Sequence, residues 1–325
     1  MKDRVKIVLV GIGGYGEVYL SPLLDDPQGT RCEIAGAVDP SPENCSRLRE
    51  LEAMGVPVFS ALEDYYRKHP ADLAVISSPI HLHADHVCTS LGHGSHVLVE
   101  KPAAAVTEDV DRMIAARDRA SRFVAVGFQW SFADSILAVK RDILSGRFGA
   151  PLGGRSLTLG PRTERYYGRN DWAGVKRDPK GRWIMDSPAS NAMAHHIHNM
   201  LFLLGPTPGL SAIPISVSAR LARVNDIETF DTVAARIALV EGVELLFLAS
   251  HTIAEADASG PRFTLQFEKA SVEFPGGLEP MTARFRDGSV AEYPSPDATS
   301  QVAKPWACVE AVTKKVALPC GLETA

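Results

Sequence analysis

Short apolar runs alternate with amphipathic stretches along the first 126 residues. Val5–Val10, Glu33–Val38, Val56–Phe59, Leu73–Ile76, Val97–Glu100 and Phe123–Val126 read as strands. Between them lie helical stretches: one running to about Leu24, then Pro42–Met54 behind Ser41, Ala61–His69, Leu82–Gly92, and Thr107–Ala120 capped by Thr107. Apolar strands that each hand over to a helix predict a parallel sheet covered on both faces.

Beyond Gly127 the pattern changes. Ser131–Ser145 is an amphipathic helix closed by Gly146, and 153–160 is a strand. Residues 161–185 show no period, and Asn191–Leu204 reads as a helix ending at Gly205. Long β-rich runs follow at 215–224, 229–240, 243–252, 262–268, 271–275 and 282–286, with Trp306–Val316 as a helix in the tail. The expectation is an α/β chain of two domains. Residues 1–126 form a doubly wound parallel sheet. Residues 127–325 form an α+β domain with a large, mostly antiparallel sheet.

Composition narrows the class. With 325 residues, 45% hydrophobic and 22% charged, the chain is long enough for two cores and ordinary for a globular protein. A net charge of −5 disfavours nucleic acid and acidic membranes as partners. The apolar run near the N-terminus is broken by Lys6 and ends in glycines, so it reads as a first strand and not as a signal peptide. The five cysteines are odd in number and lack a C-x-x-C spacing, which points to free thiols and a cytoplasmic setting.

The first strand runs directly into GIGGYG, residues 11–16, which opens a helix. Gly11 allows a tight turn, Gly13 lets backbone approach a pyrophosphate, and Gly16 lets helix and sheet pack closely. Ile12, Gly14 and Tyr15 complete the loop, whose helix N-terminus offers N–H groups and partial positive charge to phosphates. Asp39 ends the second strand, where an acid binds ribose hydroxyls. The reading is a Rossmann domain that binds NAD; Arg47 on the following helix leaves NADP open.

Two further strand ends carry polar groups: Ser77-Ser78-Pro79, and Glu100-Lys101-Pro102. In a doubly wound sheet such ends form the ligand crevice, which would set Lys101 beside the nicotinamide. Partial desolvation lowers a lysine pKa, so Lys101 is suited to exchange a proton with a substrate hydroxyl or carbonyl.

These segments resemble the glucose-fructose oxidoreductase / inositol dehydrogenase / rhizopine-catabolism (Gfo/Idh/MocA) family of NAD(P)-dependent oxidoreductases. The likeness rests on GIGGYG, Asp39, SSPIHLHADHV at 77–87, GSHVLVEKP at 94–102, VGFQWSF at 126–132 and ILSGRFGAP at 143–151. It implies a catalytic or substrate-binding role for Lys101, a place for Glu100 at the nicotinamide end, and Ser78, Pro79 and His83 along the cofactor. It further implies a second-domain helix with an Asp-x-Gly-x-His-x-x-Asp pattern. Here the matching run has Asn191, His195 and His198, so both aspartates are replaced. On an unbroken α-helix these three lie within about 60° of one another. Lys101 and His195 would then carry the proton, while Asn191 and His198 orient the substrate. Family members also commonly close with a helix returning to the first domain, which a stop at Ala325 would shorten.

The loop 163–188 carries Arg165, Tyr166, Tyr167, Arg169, Trp172 and Trp183, and Trp130 lies upstream. Aromatics beside charges suit sugar or polyol rings, and the arginines equally suit a carboxylate or phosphate. Tyr166, Trp172 and Trp130 are the candidate substrate contacts. His195 and His198, three apart, and the cluster His81, His83 and His86, with Asp85 or Asp186, raise a metal reading, but hydride transfer needs none and no metal is expected. The favoured function is hydride transfer between nicotinamide and a secondary alcohol or ketone of a sugar, polyol or derivative, by a homodimer or homotetramer. Two rivals are a glycosidase that uses bound NAD transiently and a non-enzymatic cofactor sensor of similar fold.

Overall fold

The structure, a computed structural model, describes residues 4–25, 31–299 and 301–325. The chain divides into two compact units.

The first sheet comprises β1 (Val5–Val10), β2 (Cys32–Val38), β3 (Val58–Phe59), β4 (Leu73–Ile76), β5 (His96–Val99) and β6 (Val124–Val126). Its order is β3-β2-β1-β4-β5-β6, and every pairing is parallel. All of β4 and β6 is buried, as strands covered on both faces require. The crossovers hold α1 (Glu17–Leu24), α2 (Leu48–Ala53), α3 (Leu62–Tyr66), α4 (His83–Gly92) and α5 (Thr107–Ala120). In α5, Glu108 and Asp109 sit in the first turn and Arg117 and Arg119 in the last, each favourable to the helix dipole. The strand order reverses between β1 and β4, the switch point where ligands of such sheets bind.

Two local expectations change. Pro42–Met54 is not one helix: a 3-10 turn, Pro42–Asn44, precedes α2. Ser41 makes no side-chain cap; its own N–H donates to Asp39 Oδ1 at 2.9 Å. Thr107 is the first residue of α5 and does not cap it; the capping position falls on Val106.

The second sheet has eight strands: β7 (Pro151–Leu159), β8 (Ser216–Ala222), β9 (Thr232–Ala238), β10 (Glu244–Ser250), β11 (Ser259–Phe267), β12 (Ala270–Phe274), β13 (Met281–Phe285) and β14 (Val290–Tyr293). The order is β14-β13-β12-β11-β7-β10-β9-β8, with β7 and β10 the parallel pair. Strand β14 escapes the sequence reading because four residues show too little alternation. One face packs on α6 (Asp134–Leu144) and α8 (Ala194–Leu203); the short α7 (Glu164–Tyr167) falls between them in the sequence. Val233, Ile237, Leu245, Phe247, Leu265 and Val272 meet Ile136, Val139, Met200 and Phe202 in one core.

The tail differs from the sequence expectation. Gln301–Leu322 belongs to the first unit, not the second. Its helix α9 (Ala303–Lys314) packs on β1, β4 and β5 and buries Cys308 and Val309. Cys320 O then accepts from Val126 N–H at 3.0 Å along the edge strand β6.

Candidate active site

The loop between β1 and α1 is built by steric exclusion. Gly11 has φ +82°, and a Cβ there would lie 2.9 Å from the Ser77 carbonyl carbon. A Cβ on Gly16 would lie 2.1 Å from Gly11 O. The loop is open around Gly14, where a Cβ would meet nothing within 4 Å. The amides of Ile12 and Gly13 donate to Asp39 Oδ2 at 2.9 and 3.3 Å. The loop therefore presents N–H groups that hold an oxyanion, and Asp39 braces it from the end of β2. With three N–H groups on two carboxylate oxygens, Asp39 keeps acceptor capacity for a hydroxyl. Arg47 is committed elsewhere, to Asp25 at 2.7 Å and Glu50 at 2.5 Å.

Strand register brings the other first-unit candidates to the same edge. Val10 is paired with Ile76, and Ile76 with Val99, so Gly11, Ser77 and Glu100 leave the sheet at one level. Lys101, half-buried, follows at the end of β5. Ser78 Oγ is 2.9 Å from His86 Nδ1. His83 is 1% exposed and lies between two carbonyls, Ser78 O and Pro102 O, each 2.8 Å away. Burial pushes its pKa down, against the pull of those carbonyls. A neutral imidazole has one N–H, so it donates to one of these carbonyls at a time; its place between the ends of β4 and β5 corrects its placement along the cofactor. Glu100 also faces inward: it is 6% exposed, and its Oε1 accepts from Lys304 Nζ at 2.5 Å and from Tyr19 OH. Its Oε2 accepts the Lys101 backbone N–H at 3.1 Å. So Glu100 supports the turn that carries Lys101.

In the second unit the expected histidine face is broken. Pro188–Ala192 is a π-helical turn, Met193 has non-helical angles, and α8 begins only at Ala194. Asn191 is thus not in phase with His195 and His198. Its Nδ2 donates to Asp186 Oδ1 at 2.7 Å, and Gly174 N–H donates to Asp186 Oδ2 at 2.7 Å. His195 is half-buried, its ring edge-on to Phe128 at 5.6 Å. His198 points into the core: it is 6% exposed, stacks on Phe128 at 3.9 Å and meets Ser131 Oγ at 2.9 Å. It is a packing residue and not a substrate contact. Trp130 is corrected in the same way, since it is buried against Phe274 and donates Nε1–H to Asp297 Oδ1 at 2.8 Å. Tyr166 lies under two guanidiniums, Arg162 at 4.5 Å and Arg169 at 3.5 Å; Arg169 also reaches Trp172 at 5.5 Å. Among the described residues no group of three or more His, Cys, Asp or Glu is placed to hold a metal ion. Asp85 pairs with Arg112 at 2.9 Å.

Residues 5–128 match the family described as "Oxidoreductase family, NAD-binding Rossmann fold". Residues 5–128 are thus similar to the NAD-binding domain of the Gfo/Idh/MocA oxidoreductases. A 1-carboxy-3-chloro-3,4-dihydroxycyclohexa-1,5-diene dehydrogenase of Comamonas testosteroni is 32% identical over 142 residues, 43% of this chain and 35% of that protein. An inositol 2-dehydrogenase of Klebsiella pneumoniae is 26% identical over 149 residues, 46% of this chain and 44% of that one. The match thus spans less than half the length of both relatives. A solved WlbA dehydrogenase from Chromobacterium violaceum, in complex with NADH and UDP-GlcNAcA, superposes with TM-score 0.82 at 19% identity, over 100% of this chain and 90% of that one. That likeness shows that the fold extends through both units.

The first unit is suited to NAD by its own residues: a glycine loop open at Gly14, and an acid at the end of β2 that is bonded to the loop amides and keeps acceptor capacity. Sequence reasoning missed Lys304 and Lys140, and it raised Asp186 only as a metal candidate, not as the partner of Asn191. Lys140 is buried in α6 and donates to the carbonyls of Phe202 at 2.6 Å and Leu210 at 2.7 Å. A buried lysine inside an amphipathic repeat carries no sequence signal of its own.

The buried His198 makes stability depend on pH. Burial, then the Lys140 charge, pushes its pKa down from 6.5 to about 3. The unfolded chain therefore binds this proton more readily, and stability is lost as pH falls from about 6.5 toward 3. His198→Gln removes that proton. The variant is expected to lose about 2–3 kcal/mol less stability than wild type between pH ~7 and ~4.5. Urea unfolding at both pH values measures it; equal losses in the two proteins would contradict this burial.

Proposed function

We propose that the protein is an NAD-dependent dehydrogenase acting on a secondary alcohol or ketone of a sugar, polyol or derivative. The observation that supports this reading is the shared level of three strand ends: Lys101 follows β5 on the same edge of the sheet as the glycine loop, with β4 between them. NAD, when bound, supplies the hydride acceptor. Lys101 takes the hydroxyl proton as the carbinol carbon is oxidised and returns it in the reverse direction. His195 is the second proton carrier. Asn191, held by Asp186, orients a substrate hydroxyl, and Tyr166 and Trp172 with their arginines suit a ring bearing polar groups. Gly11, Ile12, Gly13, Gly14, Tyr15 and Gly16 receive the pyrophosphate, Asp39 the ribose, and Ser78 and Pro79 border the cofactor. The sugar or polyol class is supported by the names of relatives such as the inositol 2-dehydrogenase.

The test is absorbance at 340 nm with NAD or NADP and a panel of inositols, sugars and sugar acids. NADH accumulation with a member of the panel supports the reading. Tight NAD binding without turnover on any member moves the assignment to the transient-redox glycosidase or the sensor.

Asp39 separates the two cofactors, since its carboxylate repels a 2′-phosphate. Asp39→Ala should weaken NAD binding by about tenfold, the loss of one charge-assisted contact, and narrow the NAD/NADP ratio. Fluorescence titration with both cofactors measures this; unchanged NAD affinity would sink the assignment.

A homo-oligomer is supported by the sheet face opposite α6 and α8. Leu157, Leu246 and Leu248 lie there half-buried, in register with Arg155, Arg236 and Arg262. Sedimentation equilibrium returning the mass of a single chain would refute it. All five cysteines are free thiols, which supports a reducing, cytoplasmic setting. Among the described residues no helix is long and apolar enough to cross a membrane.

A further inference from the structure

Lys304 is 0% exposed, on a helix whose other buried residues are mainly apolar. An apolar side chain would occupy that place without the desolvation of an ammonium. Its charge is met by one carboxylate, that of Glu100 at 2.5 Å, with Gly127 O at 3.3 Å and Tyr15 OH at 3.4 Å as lesser partners. Its Nζ also lies over the rings of Tyr19 at 5.1 Å and Tyr15 at 5.4 Å. Room for the Glu100 carboxylate is kept by Gly127, where a Cβ would stand 2.7 Å from Glu100 Oε1. The other carboxylate oxygen holds the Lys101 backbone N–H. Three segments far apart in sequence (α1, the end of β5 and α9) thus converge on the turn that carries Lys101.

We propose that Lys304 is a positioning residue for Lys101: through Glu100 it fixes the Lys101–Pro102 turn and balances the Glu100 carboxylate buried beside Lys101. The inference rests on the reading of Lys101 as the proton carrier. Burial by itself would raise the Glu100 pKa, but Lys304, then Lys101 and the Tyr19 hydroxyl, hold it below the ordinary value. Glu100 therefore stays charged. Without Lys304 its charge falls on Lys101 and stabilises the ammonium, the form that cannot accept a proton. Among the described residues the other titratable groups facing this cluster are Tyr15 in the glycine loop, Tyr19 on α1, His83 on α4 and Cys308 on α9. Burial pushes both tyrosines and Cys308 up and His83 down, so all four stay uncharged near neutrality.

The test reads the titration of Lys101 without substrate or turnover. Lysines of the intact protein are reductively methylated with ¹³C-formaldehyde, and the Lys101 resonance is assigned by its loss in Lys101→Arg. Lys304→Met should raise the Lys101 midpoint by on the order of one pH unit, the effect of a nearby unbalanced charge. Glu100→Gln should lower it by a similar amount. The double variant should return close to wild type, as should Lys304→Arg. Midpoints that stay put in folded Lys304→Met and Glu100→Gln would overturn the proposal. If Lys304→Met does not fold, Glu100→Gln decides alone: a lowered midpoint supports the proposal and an unchanged one overturns it. Failure of the dehydrogenase reading shows separately, as absence of cofactor reduction while these midpoints still move.

Discussion

Replacing Lys101 with alanine is expected to lower kcat by about 10²–10⁴-fold, the usual contribution of a positioned proton carrier. NAD affinity should stay within about threefold of wild type, because uniform binding is not what is removed. The split follows from the fold. The cofactor's phosphates and ribose are assigned to the glycine loop and Asp39, at the ends of β1 and β2, whereas Lys101 sits at the end of β5. Lys101→Arg should fail almost as fully: it keeps a positive charge but gives up no proton near neutrality. Steady-state rates at 340 nm and fluorescence titration with NAD read the two quantities. An alanine variant with wild-type kcat would remove Lys101 from the chemistry. One that no longer binds NAD would place it in the cofactor site instead.

Gly16→Ala is expected to be the most damaging single methyl group in the first unit. Its Cβ would stand 2.1 Å from Gly11 O, a backbone atom fixed between β1 and Ser77. Relief requires the first turn of α1 to lift from the loop, with an overpacking cost of about 3 kcal/mol. Because the same turn shapes the phosphate cradle, NAD affinity should fall by more than about tenfold, beyond the loss of stability. Gly14→Ala is the contrast. Its Cβ meets nothing within 4 Å, so only the left-handed backbone at φ +56° resists it, at about 1–2 kcal/mol. Urea unfolding with NAD titration distinguishes the two. Equal effects at Gly14 and Gly16 would show that conformation, not close packing, shapes this loop.

The first sheet was legible because its strands are nearly all apolar and each is followed by punctuation. GIGGYG and Asp39 were legible because their chemistry is local: a turn, a close approach and an acid at a strand end. The second unit was legible as a sheet but not as a site. Periodicity placed Asn191, His195 and His198 on one helical face, whereas the π-turn at Pro188–Ala192 takes Asn191 out of phase with α8, and His198 within α8 is buried in the core. Pro188 itself was the visible warning, since it interrupts the backbone pattern just before the run. Trp130 looked like a sugar platform because an aromatic near a site reads the same whether it faces solvent or Phe274. Lys304 and the role of Asp186 went unnoticed because each matters only through a residue that the fold brings near: Glu100 in one case, Asn191 in the other. Such pairings are long-range facts, and one sequence without its fold does not contain them.

The central claim, hydride transfer between a carbinol carbon and the nicotinamide, is tested most directly by isotope. The protein is incubated with NAD and a panel of sugars, inositols and sugar acids deuterated at carbon, and the cofactor is analysed by mass spectrometry. The account predicts NADH one mass unit heavier, with deuterium at C4, for at least one member of the panel, and loss of that signal in Lys101→Ala. A cofactor that binds tightly yet keeps its mass with every compound would contradict it.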